Sequence, residues 1–455
     1  MHLIPNHHRE KELCDAVGVG SVSELFADIP AHLRLPSDGS GLDLPDGEPE
    51  RYLASRLRKT LSKNKTYDSM PIFLGGGCKP QHVPAAVRAV AHRQELINAY
   101  TPYQPEVSQG LLQLLFEYQS LMCDITQMEV VNASMYDGHT ALGEAGLMCL
   151  RATRKRDRFL IPASLSWQKR SVLANYGRGA GLQVDTYAYD DATGQADLDD
   201  LAAKLAAGDV CGVYLENPNP FGIWEEQAQA IGVAAHEASA LFVVGTDPTT
   251  LGIATPPGLL GADIVVGEAS CFGGAPAMGG PHLGLFGCTE KLVRKMPGRL
   301  IGATHDENGK RGYVMTLQAR EQHIRRSKAT SNICSNETLM ANQAAIHLSL
   351  LGRSGLRAMG LHNVKVGIKL RSILEAAGLE MRFSGPAYNE IVTRVPEGTT
   401  AQAFHDALLE AGVHGGLLLG RDHPDLADCI LWGTTPVHSP GDFTALEEAL
   451  GKVAA

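Results

Sequence analysis

The chain has 455 residues, 44% hydrophobic and 20% charged, the composition of a soluble globular protein long enough for two or three domains. Its net charge of −10 argues against nucleic acid or an anionic membrane as partner. Nine scattered cysteines without a CxxC spacing indicate neither a zinc knuckle nor a disulfide framework and point to a reducing compartment, and no apolar run is long enough to span a bilayer.

In chain order, residues 1–68 read as a helical N-terminal segment containing a loop rich in Pro, Gly and acid over 35–50. The opening residues lack the apolar stretch of a secretory signal, so the cytoplasm is the expected location. A helix is predicted from 109, with an apolar face at Leu111, Leu114, Leu115, Tyr118, Leu121 and Met122 and Ser108 as N-cap. The run Arg151, Arg154, Lys155, Arg156, Arg158 reads as a solvated helix end. Short apolar strands follow at 158–162, 183–187, 211–215, 241–244 and 263–266, with helices at 197–207 and 225–239 among them. Continuous apolar strands separated by helices imply a mostly parallel sheet covered on both faces, an α/β domain over 69–335. From 336 the texture changes to a small α+β domain. It has a long helix over 337–377, strands at 380–383 and 390–394, a further helix and a strand at 428–432.

Several segments carry chemistry. Gly138, His139 and Thr140 open a helix, where free N–H groups suit either a phosphate or an ordinary cap. Asp247 follows an apolar strand directly. Enzymes of the pyridoxal-phosphate fold type I pair such an acid with the pyridine nitrogen and place a Schiff-base lysine just past the next strand. Past Asp263-Ile264-Val265-Val266 there is no lysine until Lys291, so Asp247 is either a cap or the remnant of a site. The stretches 100–110 and 318–336 are polar and aromatic without amphipathic period. The second collects Arg320, His323, Arg325, Arg326 and Lys328, which suits an anion, a docking partner or a solvated hinge.

At these segments the sequence resembles a known family. AYTPYQPEVSQG (99–110), SMYDGHTAL (134–142), LENPNPFG (215–222) and RGYVMTLQAREQHIRRSKATSNICSN (311–336) resemble the first subunit of two-subunit glycine decarboxylases, the P-protein family. The likeness runs from Ile4-Pro5-Asn6 through 23–30 to 415–421. It implies a fold type I transferase-like architecture in which only the second subunit carries the lysine for pyridoxal phosphate. That complex, a dimer of heterodimers, decarboxylates glycine and passes the aminomethyl group to the lipoyl H-protein. This chain would then be inactive alone, where it would self-pair as a homodimer. The resemblance further implies that Tyr100, Thr101, Tyr103, Gln104, Ser134, Tyr136 and Asp137 contribute to the partner's active site. It implies that Thr330, Ser331 and Asn332 reach the partner's cofactor phosphate, and that Gly138, His139, Thr140 and Asp247 line a vestigial pocket. The segment 74–84 departs from the family pattern, with Lys79-Pro80 where Tyr-Asp is expected, and Glu268 to Phe272 departs as well. These departures leave open a divergent paralogue with altered substrate or altered partner. Two competing readings stand beside the resemblance: a self-sufficient enzyme anchored by a lysine from elsewhere, such as Lys79 or Lys328, and a catalytically inactive homologue with a binding or regulatory role.

Overall fold

The computed structural model describes residues 6–35, 42–77, 79–153, 155–274, 280–333 and 337–453. Ile4, Pro5, Cys78, Arg154, Cys334, Ser335 and Asn336, and 36–41 of the predicted loop, lie outside the described residues. The chain divides into two units at Lys65/Thr66. The first contains α1 (Glu10–Val17) and α2 (Glu50–Leu61). Gly18 ends α1 in the left-handed conformation, at φ 77°, that glycine adopts without steric penalty. Cys14 is the one buried side chain among the unit's described residues, while Leu25, Phe26, Leu33, Leu44, Tyr52 and Leu61 are exposed.

In the second unit α3 (Ala85–Ala91) and α4 (Gln109–Thr126) lead into β1 (Val130–Val131) and α5 (Gly138–Thr153). Then alternate β2 (Arg158–Pro162), α6 (Trp167–Arg178), β3 (Gln183–Tyr187), α7 (Leu198–Leu205), β4 (Val210–Asn217), α8 (Ala228–Glu237), β5 (Leu241–Thr246) and β6 (Ile264–Glu268). Strand β7 (Gly284–Cys288) closes the series, and a seven-stranded sheet results in the order β1-β7-β6-β5-β4-β2-β3. The neighbours from β3 to β6 are parallel, whereas β7 runs antiparallel to β6 and β1. Side chains alternate along each strand, so both faces are apolar. Leu160, Val213, Val244 and Val265 enter one core, and Phe159, Ile161, Val243 and Ile264 enter the other. Each such side chain contributes roughly 1.5–3 kcal/mol on burial.

A hairpin of β8 (Leu300–His305) and β9 (Arg311–Thr316) follows, then the one-turn α9 (Gln322–Arg325). Helix α10 (Thr338–Ala376) is kinked at Gly352, which has φ 57°. The small antiparallel sheet is ordered β10-β12-β11, from β10 (Glu390–Arg394), β11 (Leu417–Leu418) and β12 (Cys429–Gly433), with α11 (Ala401–Glu410) and α12 (Pro440–Val453) beside it. Its core holds Trp432, Phe73, Leu370, Leu374, Phe404, Leu408 and Phe443. The LENPNPFG motif finds its reason here. Asn219 accepts N–H bonds from Phe221 and Ile223, at 3.0 and 3.2 Å, and turns the chain after β4. Gly222 then sits at φ +80° so near β10 that a Cβ would lie 2.3 Å from the Glu390 carbonyl oxygen.

The five predicted strands of the large sheet and the four helices predicted from 109 and at 197–207, 225–239 and 337–377 fall where the sequence placed them, within a few residues. Three expectations need correction. Residues 380–383 form no strand; they make a single bridge, Met381 to Thr393, and the Arg382 guanidinium turns away to Asp191. Ser108 occupies the N-cap position of α4 without a side-chain capping bond. The basic run is not a solvated end. Arg151 faces the buried Glu144, Arg156 donates to the Ala238 and Ser239 carbonyls, and Arg158 pairs with Asp185 and Asp209. Among the described residues, no helix is long and apolar enough to cross a membrane.

Candidate functional site

A cavity of about 370 Å³ opens at the carboxyl ends of β4, β5 and β6, where parallel sheets bind ligands. Glu216, Asp247 and Glu268 reach it from those three strand ends, His139 from the start of α5, and Lys79 and Lys169 from the opposite walls. Asp247 does two things at once. It lines the cavity, and its Oδ1 accepts from the Thr249 N–H at 2.9 Å and hydroxyl at 2.7 Å, capping a single 3₁₀ turn. Burial and the nearby Lys169 cation push the His139 imidazole below its ordinary range, so a neutral ring faces the cavity at neutral pH.

Lys79 is buried and organises the glycine turn before it. Its ammonium lies 3.1 Å from Asn389 Oδ1 and 3.4 Å from Glu390 Oε2. The other oxygen of Glu390 accepts the Gly76 N–H at 2.7 Å and approaches that of Gly77 at 3.4 Å, with both glycines at positive φ. The unexpected Lys79 therefore has a structural partner in β10.

The fold family implies pyridoxal phosphate, and the residues of this chain do not fit it. The turn after β6 holds Ala269, Ser270, Cys271 and Phe272, with no amine for an imine. Lys291 sits at the other end of β6, its ammonium 2.9 Å from Asp263 Oδ1. The N-terminus of α5, the expected phosphate seat, is filled by internal carboxylates. Glu268 Oε2 accepts the Gly138 N–H at 3.1 Å, and Asp137 Oδ1 accepts the Thr140 N–H at 2.7 Å and its hydroxyl at 2.6 Å. Glu268 Oε1 also accepts from Ser270 N at 3.1 Å and Leu283 N at 2.8 Å.

Burial alone would raise the Glu268 carboxyl, but the His282 imidazole and these N–H donors outweigh it and hold it below its ordinary value. Glu268 in turn raises His282 above 6.5. The His282 contribution to stability is full below pH 6.5 and fades as pH rises through its raised value. That of Glu268 is full above pH 4.5 and fades as pH falls through its depressed value, so the two coincide between 4.5 and 6.5. In Glu268→Gln, the His282 titration followed by NMR is expected to fall back toward its ordinary value; an unmoved titration would remove the coupling.

The other predicted residues gather elsewhere. Tyr103 and the 318–323 segment meet. Arg299 Nη2 donates to the Tyr103 hydroxyl at 3.3 Å, Arg299 Nε is 3.7 Å from Glu321 Oε2, and His323 Nδ1 is 3.6 Å from the same oxygen. Tyr100 and Gln104 are exposed and Thr101 half-buried. Arg320 donates to the Met296 and Gly298 carbonyls, whereas Arg326 and Lys328 are exposed. Ser134 is buried, and Tyr136 is half-buried. Thr330 is held by its N–H on the Arg320 carbonyl at 2.9 Å, Ser331 donates its hydroxyl to the buried Glu144 at 2.6 Å, and Asn332 is exposed. Glu268, Glu216 and Glu390 were not among the predicted site residues. Glu216 and Glu268 each carried a sequence signal, as an acid at a strand's carboxyl end, but their partners did not.

The comparisons with known proteins agree with this geometry. The family described as glycine cleavage system P-protein matches residues 1–423. A relative from Thermococcus onnurineus (strain NA1), the probable glycine dehydrogenase (decarboxylating) subunit 1, is 46% identical over 455 residues, covering 100% of this chain and 99% of its own. The protein of the same name from Lysinibacillus sphaericus (strain C3-41) is 42% identical over 445 residues, with 97% and 96% covered. A crystal structure of glycine decarboxylase (P-protein) in inhibitor-bound form superposes with a TM-score of 0.89 at 38% identity, covering 100% of both chains. The sphingosine-1-phosphate lyase of Burkholderia pseudomallei K96243, at TM-score 0.67 and 16% identity over 94% of this chain and 93% of its own, shares the fold alone. The architecture is that of the pyridoxal-phosphate fold type I, and the chain belongs to the glycine cleavage system P-protein family.

Proposed function

We propose that this chain is the subunit of a two-subunit glycine decarboxylase that does not anchor pyridoxal phosphate. The observation that carries the reading is the turn after β6, which offers no lysine in a chain otherwise similar to the family along its full length. The glycine-decarboxylating chemistry and the cofactor then belong to a lysine-bearing second subunit, and the aminomethyl group passes to the lipoyl H-protein. This chain supplies wall. Tyr100, Thr101, Tyr103 and Gln104, braced by Arg299, face the substrate or lipoyl arm at the interface, with Ser134, Tyr136 and Asp137 near them. The exposed apolar residues of the N-terminal unit suit burial against that partner in a dimer of heterodimers, and the unpaired thiols suit the reducing cytoplasm.

Anchoring by Lys79 is disfavoured because Glu390 and Asn389 hold its ammonium, and a Schiff base needs a free amine. Lys328 is exposed, away from the cavity lining. The test is exchange of labelled bicarbonate into glycine with lipoylated H-protein. Activity is expected only when this chain and its lysine-bearing partner are mixed. Exchange by this chain alone would sink the reading, and none in the mixture would favour a binding or regulatory homologue.

Within the reconstituted complex, Thr330→Leu is expected to weaken cofactor retention on dialysis; unchanged retention would remove Thr330 from the partner's phosphate site. Ser331→Ala has a second, structural effect. It strips the buried Glu144 of its hydroxyl donor, at about 1–3 kcal/mol.

A further inference from the structure

Three main-chain N–H groups from separate segments, Gly138, Ser270 and Leu283, converge on the Glu268 carboxylate at 3.1, 3.1 and 2.8 Å. His282 Nδ1 stands 3.6 Å from Oε2. Gly138 begins a 16-residue helix, so the dipole of α5 also points at this anion. A Cβ on Gly138 would lie 3.1 Å from the Gly267 carbonyl carbon, so the helix start is pressed against the end of β6 and Glu268 needs no long reach. This is the donor set of an oxyanion site, complete and already filled by a side chain of the same protein.

We propose that Glu268 is a built-in anion that closes this chain's cavity to phosphate-bearing ligands. The inference rests on the reading that this chain anchors no cofactor, and adds the residue that excludes one. Removing the carboxylate frees three N–H donors and one imidazole toward the cavity. Asp137, Glu216, Asp247 and Glu337 are the acids that remain nearby, with His139 and Lys169 as the opposing groups.

The probe is inorganic phosphate, followed by calorimetry and ³¹P line width on the full chain. Glu268→Ala and Glu268→Ser are expected to bind one phosphate at least about tenfold more tightly than the wild type, the equivalent of one charge-assisted hydrogen bond. The serine variant leaves a hydroxyl for the freed N–H groups should the alanine variant unfold. Adding His282→Ala to Glu268→Ser should weaken binding again by about tenfold. A folded serine variant with wild-type phosphate affinity overturns the proposal, as does a wild type that already binds as tightly. In the wild type, the amide ¹⁵N shifts of Gly138, Ser270 and Leu283 should move together as Glu268 titrates; independent movement also overturns it. Bicarbonate exchange by the wild-type chain alone would instead strike the non-anchoring reading, so the two failures are distinguishable.

Discussion

Arg299→Ala is expected to destabilise the chain by about 3–5 kcal/mol, the loss that follows when one partner of a buried ion pair is removed. Arg299 and Glu321 are 6% and 8% exposed, so the carboxylate would be left with the His323 imidazole, 3.6 Å away, and little water. The guanidinium also lies 5.6 Å from the Tyr103 ring centroid and donates to its hydroxyl. The same change therefore loosens the 100–104 segment from 318–323, between which the edge-on Tyr103–His323 contact, centroids 5.8 Å apart, remains. Urea unfolding at constant slope reads the first effect. The double variant Arg299→Met/Glu321→Leu should recover much of it, because two apolar groups leave no unpaired charge. A loss under about 1 kcal/mol would mean the pair is solvated and the brace absent. At temperatures where Arg299→Ala is still folded, the reconstituted complex should have lowered kcat, since Tyr103 would be held less firmly.

Trp432→Ala is the second large effect, again about 3–5 kcal/mol. The indole is fully buried in the core of the small sheet, opposite Ile391 in the β10–β12 register. Its Nε1 donates to Thr393 Oγ1 at 2.9 Å, so truncation leaves both a void and an unpaired hydroxyl. Its neighbour Leu431 and the β10 residue Glu390 both line the cavity, and Glu390 also holds Lys79, so disorder here spreads to the site. Trp432→Phe should cost markedly less. Equal losses in the two variants would show that the hydrogen bond, not the volume, carries the stability.

Much of the fold was legible because β2, β4, β5 and β6 are largely apolar runs, and such runs need both faces covered. What escaped did so for physical reasons. Strand β7, Gly284–Cys288, contains two glycines, and β1 is only two residues long, so neither has a strand's apolar signature. The β8–β9 hairpin is exposed toward its turn and reads as loop. Residues 380–383 have apolar Met381 and Phe383, but Phe383 stacks on Phe221 at 4.7 Å and takes no partner strand.

In the site, Asp247 was legible because it follows its strand directly. Glu268 was not, because Gly138 lies 130 positions away and Leu283 fifteen, and only the fold brings them to one carboxylate. Lys79 was legible only as a departure from pattern; its partner Glu390 lies far along the chain, in β10. The cationic 318–328 segment suggested an anion site, yet Arg320 is committed to main-chain carbonyls that sequence alone does not locate.

The carboxylate seated on α5 also bears on descent. A lysine introduced after β6 would regain an amine and still find the anion seat taken by Glu268, with three N–H bonds to lose. Each change alone is then neutral or harmful, and only the pair together gains anything. Such a landscape has no uphill path of single steps by which this chain would come to anchor the cofactor itself.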